Sequence, residues 1–209
     1  MVAGHVFAGA AGFAVLNRSL GMTAQASSAD SLVEQTLSRE IPWQGAFLQI
    51  WRDTVRLPDG RTSAREYVHH PGAVVILAVQ DDGALVMERQ YRHPLGQVFW
   101  EFPAGKLDAN EPALQCAQRE LKEETGFQAQ QWEHLGAIHP CIGYSDEKIE
   151  VFLARGLRQG ERALDEHEFL EVFAMSPAEI EAAIAAGQMT DAKTLAAFCM
   201  AKSRLTAGA

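Results

Sequence analysis

The chain has 209 residues, 47% apolar and 22% charged, a composition that excludes a disordered or fibrous protein and leaves room for a sizeable core. Its formal net charge of −9, with no basic stripe, excludes a nucleic-acid backbone as partner but admits a phosphate compound where placed arginines or a cation reverse the local field. Three cysteines, Cys116, Cys141 and Cys199, form no CxxC pair and fit a reducing, cytoplasmic compartment better than a disulfide framework.

Residues 1–28 stand apart. Val6 to Leu16 is an apolar run rich in Ala and Gly, and Ala24-Gln25-Ala26 is like a signal-peptidase site. Met1 to His5 carries no Lys or Arg, and the run is too short to span a bilayer. The segment reads as a flexible extension, or as an overlong start with the true beginning near Met22, and export is the rival reading.

Residues 29–70 read as an N-terminal β subdomain and 71–209 as the main domain. Ser31 to Arg39 is strand or coil. Phe47 to Leu57 favours β structure, Pro58-Asp59-Gly60 turns the chain, and Arg61 to His69 returns it. A hairpin of this kind is marginal alone, so it must pack on the core or on a second subunit. Ala73 to Val79 is an apolar strand buried on both faces, Asp81-Asp82-Gly83 is a turn, and Ala84 to Arg89 comes back. Val98 to Phe102 is a further strand leading into Pro103-Ala104-Gly105.

The stretch Gly105 to Phe127, GKLDANEPALQCAQRELKEETGF, reads as a loop and a helix. Asn110 suits the N-cap, Glu111 and Pro112 the first turn, and Gly126 the left-handed residue after the last. Leu114, Ala117 and Leu121 are spaced as a buried stripe, and Glu120, Glu123 and Glu124 share another face. Carboxylates crowded in this way repel unless a cation sits among them, and hard oxygen donors suit Mg²⁺ or Mn²⁺. Beyond the helix, Trp132 to His139 and Lys148 to Ala154 read as strands around a turn-rich loop. Gly160 to Glu168 is an acidic loop and Phe169 to Met175 a strand. Ser176, Pro177 and Glu179 form a helix-start signature, that helix stops at Gly187, and another runs from Thr190 or Asp191 to about Ser203. Mixed strands flanked by helices make an α/β or α+β sandwich.

Gly105, Glu111 and the run Arg119-Glu120-Leu121-Lys122-Glu123-Glu124-Thr125-Gly126-Phe127 resemble the Nudix box at every defining position. The resemblance implies a Nudix fold, a mixed β-sheet between helices, and divalent-metal hydrolysis of a nucleoside diphosphate linked to another group. Carried over by position, it makes Glu120 and Glu124 the metal ligands, joined by the Ala104 carbonyl. Glu123 and Arg119 complete the catalytic helix, Arg119 orienting carboxylates with Glu111 as its partner. Arg89-Gln90-Tyr91-Arg92 and Glu101-Phe102-Pro103-Ala104-Gly105 resemble segments of ADP-ribose pyrophosphatases, as do Arg65-Glu66-Tyr67-Val68 and Tyr144-Ser145-Asp146-Glu147. That subfamily implies a homodimer exchanging its N-terminal β region. It also implies a mobile glutamate loop, here Leu164 to Glu168, with Glu166 as base and Glu168 facing metal. Arg92 and Arg89 are candidate substrate clamps, together with Glu101, and Arg52 and Arg65 could meet substrate across the dimer seam, with Trp43 or Tyr67 to stack.

One departure concerns the substrate. Ile142 precedes Gly143 where the subfamily has Pro, and the proline stands at Pro140 instead. ADP-ribose is the leading substrate, with a nucleotide sugar, NADH or a dinucleoside polyphosphate as alternatives. A non-catalytic regulator is disfavoured, because every box glutamate is present and no segment is left over for a DNA-reading domain.

Overall fold

The computed structural model describes residues 31–164 and 166–205. The extension read over 1–28 therefore lies outside the described residues, as does Asp165 of the acidic loop.

Among the described residues, three sheets and three α-helices make up the fold. The first sheet is antiparallel, ordered β1 (Gln35–Gln44), β2 (Gln49–Arg56), β3 (Thr62–His69). The expected β2–β3 hairpin is present, turning at Pro58-Asp59-Gly60 with Gly60 at φ 89°, a conformation open to glycine. Strand β1 lies further along the chain than the Ser31 to Arg39 segment the sequence suggested, and is exposed throughout. It is polar along most of its length, and Leu37, Ile41 and Trp43 are too sparse an apolar set to mark it as a strand. Buried Asp53 pins this sheet: Arg39 donates to both its oxygens at 2.7 Å, and Tyr67 Oη donates at 3.3 Å. The Arg39 hydrogen bonds hold its carboxyl below the usual carboxylate range, against the opposing effect of burial.

The larger sheet runs β7 (Ala104–Lys106), β4 (Ala73–Ala78), β9 (Ile149–Gln159), β8 (Phe127–Ile138). Strand β4 is buried at every position, as its unbroken apolar run requires, and pairs in parallel with β9, Ala73 opposite Ile149. The third sheet is antiparallel, ordered β10 (Leu170–Met175), β5 (Leu85–Arg92), β6 (Gln97–Glu101).

Helix α1 (Ala113–Thr125) covers one side of these sheets, where Cys116, Ala117 and Leu121 pack against Val74, Ile76, Val86 and Phe152. Helices α2 (Pro177–Ala185) and α3 (Ala192–Leu205) cover the other, meeting Leu77, Met87, Phe102 and Leu153. The result is the expected mixed sheet between helices. Two details of α1 differ from the reading above. Asn110 is not the cap: it takes a positive φ of 64°, and extended Pro112 precedes the first helical residue. Leu114 is exposed, and Cys116 fills the core in its place. Helix α2 does begin with a complete capping box between Ser176 and Glu179, and Asp191 accepts from the Thr194 amide at the start of α3.

The first sheet is joined to the rest through Val68. Its amide donates to Tyr144 O (2.8 Å), and its carbonyl accepts from Asp146 N (3.2 Å). Asp146 then accepts from His70 N and pairs with His69 Nδ1 at 2.5 Å. No helix among the described residues is long and apolar enough to cross a membrane.

Candidate active site

A cleft of about 1000 Å³ opens between α1, the ends of β4, β5 and β7, the 167–169 segment and the start of α3. Helix α1 contributes Arg119, Glu120, Glu123 and Glu124 to its wall. Helical spacing puts these side chains on one side while Cys116, Ala117 and Leu121 face the core. The Cys116 thiol is pushed up to about 12 by burial, so it is an inert packing group.

Arg119 organises the acidic face. Nε and Nη2 grip Glu111 at 2.9 and 2.8 Å, while Nη1 reaches Glu120 at 2.8 Å and Glu123 at 3.0 Å. That bidentate grip takes Glu111 down to about 2, and Glu111 also accepts from the Asp108 amide. Glu111 is thus the Arg119 partner the sequence suggested.

Glu124 is different. It is 3% exposed and accepts from the Ala104 amide at 3.0 Å. Burial first, then the fields of Glu88, Glu120 and Glu168, raise its affinity for a proton well above the ordinary carboxylate range. Burial raises Glu120 as well, against the opposing pull of Arg119. Gly105 makes room for Glu120: a Cβ there would stand 1.8 Å from its carboxyl carbon.

The opposite wall is basic. Arg92 grips buried Glu101 with Nε and Nη2 at 2.8 and 2.7 Å, and Lys193 from α3 bonds the same carboxylate. Burial alone would raise Glu101, but these two cations hold it below its ordinary value. Arg92 and Lys193 both line the cleft, whereas Glu101 lies behind them, 2% exposed. Sequence reasoning missed Lys193, which no motif had flagged.

Other expected residues separate. Glu168 lines the cleft and accepts from Gln90 Nε2 at 3.1 Å; Glu166 is exposed in the preceding turn and is not among the lining residues. Arg89 points away, pairing with Glu171 at 2.7 Å beside a smaller depression. Arg52 and Arg65 lie on the N-terminal sheet, paired with Glu66 and Glu34, and do not line the cleft of the single chain. Trp43 is exposed and Tyr67 is engaged by Asp53 and Arg39.

Among the described residues, no three acidic, His or Cys side chains stand in ready-made metal geometry. The donor chemistry nevertheless fits a hard divalent cation. Glu120, Glu124 and Glu168 supply only carboxylate oxygen, and their mutual fields add to the cost of burying Glu124 without a cation. Gly105 leaves the space that the Glu120 carboxylate occupies.

Residues 68–198 match the model of the NUDIX domain. The chain is 40% identical over 166 residues to an ADP-ribose pyrophosphatase of Bacillus subtilis (strain 168), covering 78% of this chain and 90% of that protein. It is 46% identical over 135 residues to an ADP-ribose pyrophosphatase of Mycobacterium tuberculosis, covering 64% and 65% of the two chains. In fold it is similar to the structure titled "Crystal structure of ADP compounds hydrolase", with a TM-score of 0.74 at 22% identity over 86% of this chain and 98% of that one.

Proposed function

The chain belongs to the Nudix family and is a Nudix hydrolase, and from that premise we propose that it hydrolyses ADP-ribose to AMP and ribose 5-phosphate with Mg²⁺, Mn²⁺ substituting. The observation that carries the reading is one cleft with an acidic wall on α1 facing a basic wall of Arg92 and Lys193. A diphosphate needs both: cationic neutralisation of its nonbridging oxygens and side chains that fix it. The two relatives named ADP-ribose pyrophosphatase support the choice of substrate.

Glu120, Glu124 and the Ala104 carbonyl are the groups assigned to hold the cation, which when bound supplies Lewis-acid stabilisation of the diphosphate, and Glu168 is left free to act on the water. Arg119 keeps Glu120 and Glu123 oriented through the contacts given above. Arg92, itself fixed by Glu101, directs its remaining donors at a phosphate oxygen. Water adds across one P–O bond of the anhydride; a loop carboxylate takes its proton and the bridging oxygen leaves with one phosphate. Of the two loop candidates, Glu168 is favoured over Glu166, because it lines the cleft and is anchored by Gln90.

Residues 29–70 are proposed as a dimerisation subdomain within a cytoplasmic homodimer. Leu37, Ile41 and Trp43 on β1 are 42, 48 and 53% exposed, an apolar face that a second copy would cover. Across such a seam Arg52 and Arg65 would reach a neighbouring cleft.

The test is product analysis with Mg²⁺ on ADP-ribose, ADP- and GDP-sugars, NADH and diadenosine polyphosphates. AMP and ribose 5-phosphate formed fastest from ADP-ribose is the expected result. A slow ADP-ribose rate beside a fast competitor would overturn the substrate while leaving the cleft's chemistry intact.

A further inference from the structure

Glu88 is 3% exposed on β5, and its Oε1 has no hydrogen-bond partner among the described residues. It shares a strand face with Gln90 and Arg92, two and four residues on, both of which line the cleft. Across the strands it stands opposite Glu101 on β6. Glu88 is not itself among the lining residues; it lies behind them, on the face of β5 whose Val86 packs against α1. Its field reaches Glu124, and Glu168 and Glu101 act on it in turn.

A buried carboxylate oxygen with no donor loses its hydration without compensation. The positive groups in its field are engaged elsewhere: Arg92 grips Glu101, and Arg162 donates to the Leu170 carbonyl at 2.9 Å. A purely structural side chain at this position would be better uncharged. Glu101 already has Arg92 and Lys193, but Glu124 and Glu168 beside an unpartnered buried oxygen call for a further cation.

We propose that Glu88 is a further cation-binding carboxylate of this site, supplied by the sheet opposite the Glu120 and Glu124 helix. It gives the cation a donor from β5, so α1 and the β10-β5-β6 sheet are tied through the ion as well as through packing. The proposal rests on the metal-dependent reading above.

The experiment is calorimetric titration of Mn²⁺ into the metal-free full chain, comparing wild type with Glu88→Gln and Glu88→Asp, beside thermal melts in EDTA. Glu88→Gln should fold, melt no lower than wild type without metal, and bind Mn²⁺ roughly tenfold or more weakly. Glu88→Asp keeps the charge but shortens the reach. It should also lose affinity, which keeps the comparison decisive if the Gln variant does not fold. Wild-type affinity and stoichiometry in the folded variants would overturn the proposal and leave the hydrolase reading standing. A wild-type chain that takes up no Mn²⁺ at millimolar concentration would overturn both.

Discussion

Gly105 and Glu120 occupy one another's space: a Cβ on the glycine would lie 1.8 Å from the glutamate's Cδ and 1.9 Å from its Oε1. The clashing atoms are the far end of a flexible side chain, so the fold can yield where the site cannot. Gly105→Ala should change stability by less than about 1 kcal/mol. Turnover should fall roughly a hundredfold, because the carboxylate is displaced by an ångström or more. A melting curve beside a rate assay separates the two; wild-type turnover in this variant would show that the position of Glu120 is immaterial.

Glu120→Gln and Glu124→Gln should each lower turnover by roughly a hundredfold or more with the fold retained. For Glu124→Gln the metal-free protein should also melt at a higher temperature. The amide oxygen can still accept from Ala104 N, and the repelled buried charge is gone. Full activity of both variants at saturating Mg²⁺ would remove these residues from the site.

Glu168→Gln should reduce kcat by roughly 10²–10⁴-fold and Glu166→Gln should leave it nearly unchanged. Stopped assays at saturating substrate compare them directly. The opposite ranking would return the base to Glu166, as the sequence alone suggested.

Glu111 gives a pH signature. Its folded value, about 2, lies below the ordinary 4.5, so its stabilisation is present above about pH 4.5 and is lost as pH falls toward 2. Urea midpoints should drop across that window, with about 1 kcal/mol belonging to this pair after allowance for solvent screening. Glu111→Gln should flatten that part of the profile. An unchanged slope would mean that the Arg119 grip does not survive in solution.

Much of this was legible because local chemistry and tertiary packing agree. The capping box at Ser176 and Glu179, the apolar run of β4 and the stop at Gly126 each have one strong local solution. Asn110 misled because cap preference is local, whereas Glu111 fixes that turn through Asp108 and a helical residue two turns away, Arg119. Glu88 was illegible for a related reason. A glutamate between Met87 and Arg89 reads as solvent-facing, and only the pairing of β10 and β6 on either side of β5 buries it. Lys193 and Glu101 are separated by 92 residues, a distance that no motif spans.

The pairing of β10 with β5 also fixes when the cleft comes into being. Gln90 meets Glu168 only after the chain has closed a separation of 78 residues, and the parallel pairing of β4 with β9, Ala73 opposite Ile149, spans nearly as much. Contacts of that span are slow to form because loop entropy is lost before they return anything. A chain emerging from the ribosome can thus build α1 and its carboxylate row well before Glu168 is placed opposite them. The acidic wall thus comes from the middle of the chain, and the groups that complete the cleft, Glu168 and Lys193, come from its last third.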